Sequence, residues 1–264
     1  MSGARLRQDF QLLRAAVEEA AVLARRYYAR GAEVWEKSPG NPVTEADLAV
    51  DELLKKRLLG GRPDYGWLSE ESPDDGSRLE RKYVWIGDPI DGTRAFVRHH
   101  PEFAIAAGLV CDGEPVAGVV ANPATEEIFA AAGGRLRVNG KLQQPPPQAK
   151  LSSARILGSR SAIERACGVM EGCEFFTVHS IAYRMALVAA GRYDAAIAMS
   201  PTSDWDIAGA HALVRAGGGC VTGSDGVELT YKRPTTRHHG VIAAKPTLHG
   251  QIIGRLTVGV ASTG

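Results

Sequence analysis

The stretch Trp85–Phe96, WIGDPIDGTRAF, constrains this chain more than any other. The apolar run YVWIG that leads into it has the content of a strand. The run ends abruptly at Asp88, and Asp91 follows after Pro89 and Ile90. Proline and glycine make this a turn. The two acids can serve that turn or hold a metal ion. Gly92 lets the backbone approach an anion closely. The amides of Gly92 and Thr93 open a predicted helix through Val97, and a helix start presents free N–H groups to phosphate. Residues 88–93 therefore offer carboxylates to a cation and amides to an anion.

Three other acidic clusters share this setting. NPVTEAD holds Asp47, LSEES holds Glu70 and Glu71, and SDWDIAGA holds Asp204 and Asp206. Each has an ordinary reading. Asp47, three residues after Thr44, completes a capping box. Glu70 and Glu71 are solvated loop acids. Asp206 faces a helix dipole. Taken together they are harder to dismiss. Glu70 and Asp88 close predicted strands, while Asp47 and Asp206 open predicted helices. Such element ends are where α/β proteins gather ligands. Carboxylates brought together stay ionised only if a cation compensates them. An oxygen set without His–Cys companions favours Mg²⁺ or Mn²⁺ over Zn²⁺. Two such ions about 4 Å apart can clamp a phosphoryl group.

The surrounding pattern is α/β. Apolar residues from Leu6 to Leu23 recur at three- and four-residue steps, which predicts a helix over 4–30. A second helix is predicted over 44–59, with Thr44 as its N-cap and Gly60–Gly61 as its stop. Strand-like runs follow at 65–69, 83–88, 103–113, 115–122 and 127–131, with Asp112-Gly113 as a hairpin signal. QQPPPQAK (143–150) reads as an extended linker. Beyond it strands and helices alternate, ending with the helix of WDIAGAHALVRAGG. The chain thus divides into an N-terminal α+β metal-binding half, 1–147, and a C-terminal α/β half, 148–264, that completes the site.

Lys plus Arg is 31 against 30 for Asp plus Glu, which gives no basis for nucleic-acid binding. Charges interrupt the N-terminal apolar pattern, so no secretory signal is expected, and no run is long enough for a membrane span. Cys111, Cys167, Cys173 and Cys220 form no C-x-x-C pair and read as reduced thiols. The expectation is a cytoplasmic protein.

The motifs NPVTEAD, SEES, WIGDPIDGT and WDIAGAHALVRAGGG, in that order, resemble those of the inositol monophosphatase superfamily of Mg²⁺-dependent, lithium-sensitive phosphomonoesterases. The resemblance implies a layered α-β-α-β-α sandwich and a homodimer. It implies that Glu70, Asp88 and the Ile90 carbonyl hold a first metal, and that Asp88, Asp91 and Asp206 hold a second. Asp88 would then bridge two ions and Asp91 touch one. Glu70 would also serve a weaker third. Asp47 and Thr93 would orient and activate the attacking water, and Gly92 and Thr93 would receive the phosphate.

The same resemblance bears on substrate. Inositol monophosphatases place a hydroxyl-binding Glu seven residues before the W-D Asp, where this chain has Met199. SPTSDWD and DGTRAFVRHHPEF look more like the bacterial 3′(2′),5′-bisphosphate nucleotidase branch, which acts on adenosine 3′,5′-bisphosphate. Inositol-1-phosphate and histidinol-phosphate phosphatases are the alternatives. Ser180 is the expected substrate contact, with His179, Arg184, Arg94 and Lys37 nearby in the family pattern. Two rivals stand beside this reading. One is an aspartyl-phosphate enzyme with D-x-D-G-T, which the D-x-x-D spacing opposes. The other is a non-catalytic partner in a transcription complex.

Overall fold

The computed structural model describes residues 1–261. Its first half runs α1 (Gly3–Arg30), β1 (Val34–Ser38), β2 (Asn41–Thr44), α2 (Glu45–Gly61), β3 (Gly66–Ser69), β4 (Tyr83–Asp91), α3 (Thr93–Val97), β5 (Ala104–Cys111), β6 (Glu114–Asn122), β7 (Glu127–Ala132), β8 (Arg135–Val138) and β9 (Lys141–Leu142). Residues 143–150 carry no regular element, as three consecutive prolines require. The second half runs β10 (Arg155–Leu157), α4 (Arg160–Cys167), β11 (Glu174–Phe176), α5 (Ile181–Ala189), β12 (Ala195–Ala198), β13 (Thr202–Ser203), α6 (Asp204–Ala216), β14 (Cys220–Thr222), β15 (Arg237–His238), β16 (Val241–Ala244) and α7 (Pro246–Ala261).

Two sheets organise these elements. The larger has strand order β3-β4-β5-β6-β7-β8-β9 and the smaller β11-β10-β12-β16-β14. Strand β5 shows why the large sheet must be covered on both sides. Its residues alternate between two cores, with Ile105, Ala107 and Leu109 in one and Ala104, Ala106 and Val110 in the other. The first core is closed by α1 and α2, through Leu13, Val17, Leu54 and Leu58. The second is closed by α5 and α6, through Met185 and Leu213, and reaches Leu157 and Ala196 of the small sheet. Helices α4 and α7 cover that sheet's far face with Ile163, Leu248 and Ile252. The layers are α-β-α-β-α, as the family resemblance implies.

A stack of glycines sets the height of the middle layer. A Cβ on Gly118 would lie 1.9 Å from the Gly209 carbonyl oxygen, and one on Gly209 would lie 2.6 Å from the Ala107 oxygen. The backbone of α6 therefore rests directly on β5 and β6. The glycine of WDIAGA is there for this contact, which fixes where α6 begins.

Several expectations change in detail. Gly60 and Gly61 end α2 from inside it, and a Cβ on Gly61 would meet Leu12 at 2.5 Å, so the glycine admits α1. Asp112 and Gly113 form the expected β5–β6 turn, both with positive φ. The four cysteines are unpaired. Among the described residues no helix is long and apolar enough to cross a membrane.

Candidate active site

Four chain segments deliver the acids, each by a local rule. Strands β3 and β4 are parallel, with Ser69 paired to Gly87, so Glu70 and Asp88 leave the sheet side by side. Asp88 and Asp91 would face opposite ways in a regular strand. The β4–β5 register shifts between them, from Asp88↔Ala106 to Asp91↔Ala104, so β4 carries one extra residue. Such a bulge re-aims side chains. The Asp88 Oδ1 accepts from the Ile90 amide at 2.9 Å, which closes the turn.

Asp47 and Asp206 arrive from helix starts. Asp47 is the third residue of α2, and its Oδ2 accepts from the Thr44 amide at 2.8 Å and the Thr44 hydroxyl at 2.5 Å. Asp206 stands at the same position of α6, where its Oδ2 accepts from the Ser203 amide at 2.7 Å. The expected capping box at Asp47 is present, Asp206 forms one as well as facing the helix dipole, and each cap uses one carboxylate oxygen. The second oxygen of Asp47 lies 3.3 Å from the Thr93 hydroxyl, itself 3.0 Å from the Ile90 carbonyl oxygen.

Carboxylate oxygens of Glu70, Asp88 and Asp206 come within 4.8 Å of one another. Asp91 is tied differently. Its Oδ2 accepts from the Ser180 hydroxyl and the Ala182 amide, both at 2.6 Å, at the start of α5. These acids line an open cleft of about 250 Å³, together with Ile90, Gly92, Thr93, Arg94 and His179. Gly92 has φ 96°, and a Cβ there would press on the Glu102 carbonyl at 3.1 Å, so this corner admits no side chain.

The electrostatics follow from crowding acids where water is scarce. Burial, then repulsion from Glu70, Asp91 and Asp206, puts Asp88 well above the usual carboxylate range. Burial and Asp91 push Asp206 up to about 8. Burial raises Asp91 to about 6 against the bonds from Ser180 and Ala182. Burial raises Asp47 to about 7 against those from Thr44. Burial and mutual repulsion thus favour the protonated forms of these acids, and a cation among them would oppose that. Its donors are all oxygen, which suits a hard divalent cation. Lys37 of β1 reaches in, with Nζ 2.7 Å from Glu70 Oε1 and 2.6 Å from Glu71 Oε1. Burial opposes its charge, but these bonds outweigh that and raise its pKa.

Not every expected residue faces the cleft. Ser180 has no exposed surface, and its hydroxyl caps α5 by accepting from the Tyr183 amide at 3.0 Å while donating to Asp91. It braces a carboxylate; its neighbours His179 and Ile181 line the cleft instead. Arg184 turns its guanidinium to the carbonyls of Val178 and His179. Met199 is half-buried and packs against the core under α4 and α7. Sequence reasoning missed Asp51, which accepts from the hydroxyls of Ser69 and, at 2.6 Å, Ser72, and so anchors the loop carrying Glu70. An acid one turn after Asp47 on α2 was the available signal. It also missed the buried pair of His238 Nε2 and Asp204 Oδ1, 2.6 Å apart, at the start of α6.

Acids that need a cation, set beside a glycine-opened turn, define a metal-dependent phosphatase. The chain belongs to the inositol monophosphatase family, whose pattern matches residues 6–258, and it is a phosphoric monoester hydrolase. It is 33% identical to the histidinol-phosphatase of Mycobacterium tuberculosis, over 95% of this chain and 98% of that one. It is 32% identical to the inositol-1-monophosphatase of Rhizobium meliloti, over 72% and 75%. With the 3′(2′),5′-bisphosphate nucleotidase CysQ of Aggregatibacter actinomycetemcomitans the figures are 31%, 82% and 84%. Among solved structures, the IMPase of Thermotoga maritima superposes with a TM-score of 0.81 at 26% identity, covering 98% of this chain and 99% of that one.

Proposed function

We propose that this phosphatase acts on a small phosphorylated metabolite, with adenosine 3′,5′-bisphosphate as its preferred substrate. In this reading Glu70, Asp88, Asp91, Asp206 and the Ile90 carbonyl hold Mg²⁺. When bound, such an ion acidifies a coordinated water and neutralises phosphate charge. The chain's own residues do the rest. Asp47, with its Oδ1 3.3 Å from the Thr93 hydroxyl, takes the proton of the attacking water through that hydroxyl. Gly92 and Thr93 offer backbone amides to the phosphate. Asp91, braced by Ser180 and Ala182, keeps its place as the charge shifts.

The position of Met199 carries the substrate reading. Where inositol monophosphatases have their hydroxyl-binding acid, this chain has a half-buried apolar side chain packed against a core. At the rim of the cleft Arg94 is exposed, with its Nε held 3.0 Å from the Gly40 carbonyl oxygen. A cation there suits a substrate with a second phosphate. The M. tuberculosis relative, matched over nearly its whole length, favours histidinol phosphate as a second reading.

The test is phosphate release from adenosine 3′,5′-bisphosphate, histidinol phosphate, inositol 1-phosphate and fructose 1,6-bisphosphate in Mg²⁺. The bisphosphate nucleotide is expected to give the highest kcat/KM. A preference for inositol phosphate overturns the argument from Met199. No release from any of the four favours the non-catalytic rival.

A further inference from the structure

A second group of metal-type ligands lies beside the cleft, made of His100, Glu102 and His179. His100 and Glu102 belong to the turn after α3, and His179 precedes α5. His100 Nδ1 and His179 Nε2 both lie 3.9 Å from the same atom, Glu102 Oε2. These separations are too long for hydrogen bonds. They are wider by about 0.5 Å than the roughly 3.4 Å between two ligands of a tetrahedral ion with bonds of about 2.0–2.2 Å. The three ligand atoms lie within 4.8 Å of one another. The imidazole side chains are 53% and 41% exposed, so rotation can close the remaining gap.

The backbone behind these ligands is already held. The His100 amide donates to the Ala95 carbonyl at 2.9 Å, and the Ser180 amide donates to the Glu102 carbonyl at 3.2 Å. The imidazole rings sit 6.1 Å apart at a steep angle, edge toward face, not stacked. The ligand chemistry also differs from that of the cleft. Two imidazoles and one carboxylate suit Zn²⁺, Co²⁺ or Ni²⁺, while Mg²⁺ takes oxygen.

We infer that His100, Glu102 and His179 bind one divalent transition-metal ion, in a site separate from the carboxylate cluster. The ion ties His179, a cleft residue, to the turn after α3.

The experiment is a Co²⁺ titration of the full-length protein in excess Mg²⁺, read by visible absorption, with Zn²⁺ calorimetry in parallel. Wild type is expected to bind one ion with a nitrogen-ligand spectrum. Loss of even an outer partner of a metal ligand costs about 10–100-fold in affinity, so His100→Ala and Glu102→Gln should weaken binding at least roughly tenfold. Asp88→Asn should leave it unchanged. His100 is exposed, and matching melting curves of His100→Ala and wild type in chelator will show that the variant is folded. Three results overturn the inference: no Co²⁺ uptake in excess Mg²⁺, wild-type affinity in folded His100→Ala, or binding lost in Asp88→Asn and kept in His100→Ala.

Discussion

The Thr93 hydroxyl lies 3.3 Å from Asp47 Oδ1, while the other oxygen of Asp47 caps α2 through Thr44. One carboxylate thus does a structural task and a chemical one with separate atoms. Asp47→Asn should separate them. Asn keeps an oxygen for the Thr44 amide, so stability should change by no more than about 1 kcal/mol. It cannot take a proton, so kcat should fall about 10²–10⁴-fold. Steady-state kinetics and urea unfolding on the same variant check this. A kcat within a few-fold of wild type would remove Asp47 from the chemistry.

Asp88→Asn should abolish Mg²⁺-dependent activity and leave the fold intact. Burial and the neighbouring acids raise the Asp88 pKa and so disfavour its charged form, which a neutral Asn avoids. Its metal-free melting point at neutral pH should therefore stay near that of wild type. The rise in melting point on adding Mg²⁺ should disappear. A variant that still gains stability from Mg²⁺ and retains most of its rate would sink the ligand assignment.

Cation binding should depend on pH with a definite sign. Asp91 and Asp206 are raised by burial to about 6 and about 8. Carboxylates raised this way favour the folded state at low pH, and that contribution is lost as pH climbs from about 4 through about 8. A cation must displace their protons. Mg²⁺ affinity should rise from pH 6 to pH 8 and level off above, with proton release in calorimetry across buffers of different ionisation heat. Affinity flat over that window would mean the acids are already ionised.

Much of this site was legible because its acids sit where local rules act. Thr44 and Asp47 announce a helix start, and the Pro-Ile pair after Asp88 announces a turn. Other parts obeyed longer-range rules. The β1–β2 hairpin, with Lys37, is short, is exposed throughout β1 and contains Pro42 in β2, so it has no alternation to read. Ser180 was assigned to substrate because it lies in the right segment, yet a buried serine before a helix serves the helix and Asp91. The bulge that turns Asp88 and Asp91 together exists only in the register with β5. The smaller sheet's last strands and α7 follow the final recognised motif and were not read at all.

Gly209→Ala should test whether α6 positions Asp206. The added methyl would sit 2.6 Å from the Ala107 carbonyl oxygen, with backbone and no flexible side chain to give way. Overpacking of this kind costs about 1–3 kcal/mol. It should also lift the start of α6 and lower Mg²⁺ affinity, although residue 209 touches no proposed ligand. Unfolding and Mg²⁺ titration read the two effects. Lost stability with unchanged affinity would show that Asp206 is positioned by its cap alone.

His211 predicts an acid-sensitive core. It is 5% exposed on α6, its Nδ1 lies 2.9 Å from the Tyr231 hydroxyl, and burial, then Arg215 and His238, lower its pKa to about 3. The unfolded chain protonates its histidine near pH 6.5. The neutral ring therefore contributes fully above that pH, and the contribution drains as pH falls toward 3, by up to about 1.4 kcal/mol per unit. His211→Asn keeps a polar atom near the Nδ1 position but does not titrate. Its stability, from urea unfolding at several pH values, should fall less steeply between pH 6 and pH 4 than that of wild type. Parallel slopes would show that the ring takes up its proton without leaving the core, and that acid acts on this protein elsewhere.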